Sequence, residues 1–209
     1  TGKVRDLYTN ESGEIILVNK KFADLVGYSI NEVIGKSFTI FIIEEELPEY
    51  RERQKERQIG IKEVYDRRLK RKDGILIWTT VSASPILDDK NTFDGSFGMF
   101  TDITKRKIAE ENLKTTSEFN QSLINTIPFG LDIVDLDGNI LFMNNLLKDV
   151  IGIENPKGKC WELYKDNGEQ CIECPLKSNL ELGETNICEV HSVLGGREFE
   201  VTHTVMNFK

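Results

Sequence analysis

All four cysteines of this chain lie between residues 160 and 188, and the first 159 residues carry none. The spacing is Cys160-x10-Cys171-x2-Cys174-x13-Cys188. A C-x2-C pair sets two thiolates about one metal-ligand edge apart, and two further sulfurs could complete a tetrahedron for Zn²⁺ or an iron–sulfur cluster. The same thiols could instead form disulfides or a redox-switching dithiol, since a thiolate at a helix start has a lowered pKa and is reactive. CPLKSNLEL, residues 174–182, is predicted as that helix, with Pro175 in its first turn. A third reading is unlinked buried thiols, because cysteine packs as a small apolar residue. Haem is a minor fourth: there is no C-x-x-C-H, although His203 could be an axial ligand. A free-standing redox enzyme using Cys171 and Cys174 is weaker, since no βαβ pattern surrounds them.

Strands must bring these side chains together. Residues 186–194 and 197–206 alternate with period two, as for a sheet with one buried face. With Gly195-Gly196 as a two-residue turn, Cys188 faces His203, Val190 faces Val201 and Ser192 faces Phe199. That row is the apolar one, so Cys188 and His203 are both expected to look into the core. A longer turn would change cross-strand partners but not the face that His203 uses. A lone inward histidine is commonly a hydrogen-bonded core residue, and a neighbouring cysteine brings ligation into contention. His191 shares the opposite row with Glu189 and reads as a solvated surface residue.

The bulk numbers narrow the setting. A chain of 209 residues makes one large domain or two of about 100 residues. At 39% apolar and 30% charged it has an ordinary globular composition, and a net charge of -8 gives nucleic-acid binding no support. The longest apolar run, residues 38–43, is far short of the ~20 residues that span a bilayer. No signal peptide is visible and the chain opens on Thr1. It is expected to be a piece of a longer protein, whose membrane anchor or output domain lies outside this window.

The chain also repeats itself. ESGEIILVNKKFADLVGYS (11–29) matches LDGNILFMNNLLKDVIGIE (136–154) without a gap at an offset of 125 residues. Gly13 falls on Gly138, Asn19 on Asn144 and Gly27 on Gly152; after a two-residue deletion Gly35-Lys36 falls on Gly158-Lys159. Each copy is predicted to begin with a strand, a Gly turn and a second strand. A short amphipathic helix follows, in which Phe22, Leu25 and Val26 share a face and Gly27 is the stop. Two long strands come later, 61–71 and 75–87 in the first copy. That copy closes with a fifth strand, 96–100, for which the second has no equivalent before Lys209. Either the chain is cut there, or the sheet edge is completed from elsewhere.

The order DG-x-I-x-x-x-N, F-x-x-x-x-GY, GK, KDG-x-x-x-W and TDITKRKIAEENLK resembles the PAS domain family. The first copy carries it through Gly13, Asn19, Phe22, Gly27, Tyr28, Gly35, Lys36, Asp73, Gly74, Trp78 and Asp102-Ile103-Thr104. The second keeps Gly138, Asn144, Gly152 and Gly158, with Glu200 near the place of Trp78. The resemblance implies an α+β chain: two PAS folds, each a five-stranded antiparallel sheet with short helices cupping a pocket, the second lacking its last strand. The expected division is 1–104 with the closing PAC motif, a connector helix at 105–127, and 128–209. The implied role is sensing a ligand, redox state or light for a signalling protein. Among such proteins a two-component histidine kinase is the usual parent, with its catalytic domains outside this sequence.

Residues 102–126 lack Gly and Pro, are rich in helix formers, and run from Asp102 as N-cap to a stop before Pro128. Ile108, Phe119, Leu123 and Ile127 form an incomplete apolar stripe, broken by Asn112, Thr115, Thr116 and Asn120. The helix either packs on its own sheets or pairs with a second chain, as a homodimer, and relays motion to a downstream kinase or output domain. In the first copy Phe41, Tyr65 and Trp78 could line a pocket for a flavin or small acid, or be core aromatics. Residues 44–58 are a charge run expected to be a solvated helix face. With no phosphoacceptor histidine, phosphate loop or catalytic triad, the chain is expected to have no turnover of its own. A cytoplasmic site suits thiols confined to one module, although an oxidising compartment would suit two disulfides.

Overall fold

The computed structural model describes residues 5–172, 174–177 and 181–206. It contains two compact units, Thr1–Thr115 and Thr116–Lys209, divided within one helix.

In the first unit the polypeptide runs β1 (Arg5–Asn10), β2 (Ile15–Val18), α1 (Lys20–Val26), α2 (Ile30–Val33), α3 (Leu47–Gln58), β3 (Glu63–Lys70), β4 (Leu76–Leu87) and β5 (Phe93–Asp102). The five strands form one antiparallel sheet in the order β2-β1-β5-β4-β3, so the last strand enters the middle. Local chemistry sets the first hairpin and helix. Asn10 Oδ1 accepts from the amides of Ser12 and Glu14 at 3.1 and 2.9 Å, closing the β1–β2 turn. Asn19 Oδ1 accepts from Phe22 N at 2.9 Å and so caps α1. Gly27 ends the helix at φ 76°, a left-handed conformation that costs a glycine little. Phe22 is fully buried, with ring centroids 5.5 Å from Phe41 and 4.7 Å from Phe100. Burying such a side chain contributes about 1.5–3 kcal/mol, so this aromatic cluster is the main anchor of the cup.

The long helix α4 (Thr104–Thr126) leaves from β5, and none of its residues is buried. Asp102 Oδ1 accepts from Thr104 N at 2.9 Å, and Thr104 Oγ1 accepts from Trp78 N at 3.0 Å. Lys107 then reaches Asp66 of β3 at 3.0 Å. The first turn of α4 is thus tied to both β3 and β4.

The second unit contains β6 (Asp132–Val134), β7 (Ile140–Met143), α5 (Asn145–Ile151), α6 (Cys160–Tyr164), β8 (Thr185–Val193) and β9 (Arg197–Thr204). Asp135 closes the β6–β7 turn by accepting from Asp137 N and Asn139 N at 3.0 and 2.8 Å. Asn144 caps α5 through Leu147 N at 3.1 Å. Gly138 has φ 82°, and a Cβ there would lie 2.3 Å from the Trp161 ring, so the turn needs glycine for space as well as for conformation. The hairpins β6–β7 and β8–β9 are separate sheets. The first unit supplies the reason: β5 lies between β1 and β4, and no described strand takes the matching place between β6 and β9. Among the described residues, no helix is long and apolar enough to cross a membrane.

Candidate functional site

The second unit gathers titratable groups from β6, α6 and the β8–β9 hairpin. Helix α6 begins at Cys160, whose amide donates to Gly138 O at 2.9 Å, and ends at Tyr164, whose hydroxyl donates to Asp132 Oδ2 at 2.8 Å. Its exit ties down the hairpin. Leu194 N donates to Tyr164 O and Asp166 N to Ser192 O, both at 3.0 Å, while the Asp166 carboxylate accepts from Gly195 N and Gly196 N at 2.8 Å each. These two amide bonds, first among its causes, hold the Asp166 carboxyl below its ordinary value. The Asp166→Ala variant is expected to speed hydrogen exchange at the Gly195 and Gly196 amides and leave those of β6–β7 unchanged. Unaltered exchange at both glycines would show that the turn holds itself.

This lashing corrects the hairpin register. Gly195-Gly196 is not a two-residue turn: Val193 pairs with Arg197 around a three-residue loop, and an irregularity follows between Val190 and Val193. Ser192 and Leu194 take φ 56° and 50°. Cys188 therefore pairs with Val201 and His203 with Asn186, while Val190 pairs with Phe199. The extra residue sits where Asp166 and Lys165 grip the hairpin, which is what a bulge at a long-range tether accomplishes. Cys188 and His203 still share the inward face, as diagonal neighbours. His191 lies outside, 3.0 Å from Glu198.

Burial governs the electrostatics. It pushes the Cys160 thiol up to about 11, assisted by the neighbouring Asp132, Cys174 and Cys171. It raises Asp132 against the opposing hydrogen bond from Tyr164, and it drives the Tyr164 phenol far above its usual range, with Asp132 adding to the effect. His203 is pushed down by burial, with Asp132 opposing, and its Nε2 is buried without a hydrogen-bond partner. At neutral pH Cys160 is a thiol and Tyr164 a phenol. Although Cys160 starts a helix, α6 has five residues and desolvation wins.

Cys160, Cys171 and Cys174 are close enough to influence one another electrostatically, and Cys174 is buried with its Sγ 3.3 Å from Gln170 Nε2. No group of three or more His, Cys, Asp or Glu among the described residues is arranged to hold a metal ion. Pro175–Lys177 is one 3₁₀ turn, and residues 178–180 of the helix predicted over 174–182 lie outside the described residues. Asp132 and Tyr164 escape a reading based on thiol spacing, yet the repeat carries their signal. At its offsets of 125 and 123, Asp132 falls on Leu7 and Tyr164 on Phe41; where the later strands are aligned, at an offset of 122, His203 falls on Val81. Those three are core residues of the first unit. The second unit thus places an acid, a phenol and an imidazole where the first packs apolar side chains.

The first unit's interior is mostly filled. A cavity of about 40 Å³ remains, lined by Thr9, Tyr50, Arg57 and Tyr65 among others. Flavin-sized ligands occupy roughly 300 Å³ or more. Of the three aromatics proposed as pocket lining, Tyr65 borders this cavity and Phe41 is packed in the core. Trp78 belongs to neither: the alternation of β4 buries Ile77, Thr79 and Val81 and turns Trp78 to the other face, against Arg68 and Lys107. The charge run also departs from a purely solvated face, because α3 buries Tyr50 and Arg57.

Comparison with known proteins agrees with this architecture. A family model for the PAS domain matches residues 7–105. Sporulation kinase C of Bacillus subtilis (strain 168) is 31% identical over 111 residues, 53% of this chain and 26% of that protein. The bacterioopsin transcriptional activator of Halobacterium salinarum is 32% identical over 111 residues, 51% of this chain and 16% of that protein. The chain therefore matches well under a third of either relative's length. A crystal structure of the PAS domain of a protein from Colwellia psychrerythraea is 28% identical, with a TM-score of 0.42, covering 49% of this chain and 87% of that one. With the β2-β1-β5-β4-β3 sheet, the aromatic cup and the closing Asp102-Ile103-Thr104 in place, residues 7–105 of this chain match the PAS domain family in sequence.

Proposed function

We propose that the chain is the sensory region of a signalling protein, a histidine kinase in the first instance, with two PAS copies in which the second holds the input site. The observation that carries this is the replacement of three core positions by Asp132, Tyr164 and His203 beside Cys160. A half-buried acid, phenol, imidazole and thiol are stable together only while their protonation and partners stay matched. Oxidation of the thiols, a bound metal, or a small polar molecule would each upset that match. The output travels along α4, whose first turn is pinned to the first unit's sheet and whose exposed length suits a relay. Thiols of this kind suit a cytoplasmic setting. Turnover belongs to domains beyond this chain.

Of the candidate groups, zinc or an iron–sulfur cluster would draw on Cys160, Cys171, Cys174 and Cys188, and haem on His203. The described geometry favours thiol redox or a polar ligand over these. The test is anaerobic purification of the whole chain, with metal analysis, an absorption spectrum, and hydrogen exchange before and after mild oxidation with diamide. We expect oxidation to change protection in β8–β9 and α4. A colourless, metal-free protein whose cysteines oxidise with no change in exchange would leave the site without a signal.

A dimerising spacer is the second reading, favoured by the exposed apolar residues Ile108, Leu113, Phe119 and Leu123 on α4. A strict monomer by sedimentation at high concentration would exclude it.

A further inference from the structure

We propose that Asp66, Arg106 and Lys107 form a salt-released latch that holds the opening turns of α4 on the first unit's sheet. When ionic strength rises, the helix loosens about a fixed pivot at residues 102–104. The consequence for output rests on α4 being the relay; the latch itself does not, and it is independent of the second unit's thiols.

The pivot is built from short hydrogen bonds around the buried Ile103, which salt screens little. The Ile103 amide donates to Trp78 O at 2.9 Å, and Thr104 Oγ1 accepts from Trp78 N at 3.0 Å. Asp102 Oδ1 accepts from Thr104 N at 2.9 Å. Less than one turn further on, the contacts change in kind. Lys107 Nζ lies 3.0 Å from Asp66 Oδ2, and Arg106 Nη2 lies 3.6 Å from the same oxygen. The other oxygen of Asp66 accepts from Thr80 Oγ1, its cross-strand partner on β4, at 2.7 Å, and this fixes where the carboxylate stands. Lys107 also sits 5.3 Å from the Trp78 ring centroid, and Arg106 meets Glu110 of its own helix at 3.7 Å. No residue of α4 is buried, so apolar packing adds little to this hold.

The latch, by contrast, is electrostatic and open to solvent. Side-chain exposure is 32% at Asp66, 31% at Lys107 and 57% at Arg106. Ion pairs at such a surface weaken as salt is added. The Debye length falls from about 30 Å at 0.01 M to about 3 Å at 1 M, which is the scale of the Asp66 contacts themselves. Two cations face one carboxylate, so both pairs depend on Asp66 alone. The hydrogen bond from Thr80, first among the causes, and that from Lys107 hold the Asp66 carboxyl below its ordinary value. Asp66 therefore stays ionised at neutral pH, and salt rather than pH is the variable that acts. With the pairs screened, α4 keeps its pivot and loses its second anchor, and the sheet is uncoupled from the helix that leaves it.

The test is amide hydrogen exchange of the whole chain by NMR, at fixed pH, in sodium chloride of about 0.05 M and about 1 M. Rates are taken relative to an unstructured peptide in the same salt. The amides of Lys107, which donates to Ile103 O at 2.9 Å, and of Ile108 are expected to exchange about fivefold faster at high salt, the scale of a lost surface ion pair. The amide of Phe100, in the core strand β5, should not respond. Asp66→Asn keeps an acceptor for Thr80 and removes the charge, so both helix amides should exchange at the fast rate in either salt. Arg106→Gln combined with Lys107→Gln should do the same from the helix side, and it serves alone if Asp66→Asn fails to fold. Equal protection at the two salt concentrations, or a salt response that survives in the variants, would overturn the latch. The readout lies within the first unit, so its result stands whether or not α4 carries a signal.

Discussion

At pH 8, iodoacetamide is expected to alkylate Cys160 about a hundred times more slowly in the folded chain than in the chain unfolded by denaturant. The thiolate is the nucleophile, and burial in the corner formed by α6 and Asp132 moves the thiol from 9.0 up to about 11. Raising the titration point by about two units lowers the thiolate fraction at pH 8 by about two decades. The sign of the linked stability follows. The folded state holds a proton that the unfolded chain releases from pH 9 upward, so this group's contribution is complete below pH 9 and is lost as pH climbs towards 11. Mass-spectrometric mapping of the labelled cysteines against time reads the rate directly. The Asp132→Asn variant supplies an internal check: removing the second-largest cause of the shift should speed Cys160 labelling while leaving the burial part in place. Equal rates in the folded and unfolded chains would remove the electrostatic basis of the proposed site.

Replacing Asn144 with Ala is expected to cost the second unit about 3 kcal/mol, since buried groups left unpaired lose roughly 1–3 kcal/mol each. Asn144 is 1% exposed and makes three bonds at once. Its Oδ1 accepts from Leu131 N at 3.0 Å and Leu147 N at 3.1 Å, and its Nδ2 donates to Phe129 O at 3.0 Å. One side chain therefore caps α5 and holds the segment entering β6, the strand that carries Asp132. Small domains have about 5–15 kcal/mol in all, so the loss should lower the midpoint of urea unfolding substantially. Trp161 fluorescence in a Trp78→Phe background reports on this unit alone, since the chain has two tryptophans. The Asn144→Asp variant keeps both acceptor roles and loses the donor to Phe129, so an intermediate effect is expected. A change below about 1 kcal/mol on Asn144→Ala would mean that the amide's partners find other bonds.

The two effects differ in how far the sequence alone anticipates them. The helix caps at Asn19 and Asn144, the positive-φ turns at Gly13 and Gly138 and the Gly27 and Gly152 stops act over a few residues, so these roles are legible without a fold. The strands of the first copy and the helix after Asp102 were legible for the same reason. The β8–β9 register was not. It is decided by Asp166 gripping amides 29 and 30 residues away, and no local pattern records such a tether. Trp78 and Arg57 show the same limit from the other side. A tryptophan in a half-buried strand and an arginine in a charge run are both typed by composition, but only the sheet's pleat and the docking of α3 decide which one faces water. The chemistry of Cys160 likewise came from its neighbours: an α6 start suggests a reactive thiolate, whereas packing against Asp132 and Tyr164 desolvates it. Short-range hydrogen bonding could be read along the chain, and burial, which sets charge and reactivity, had to await the folded molecule.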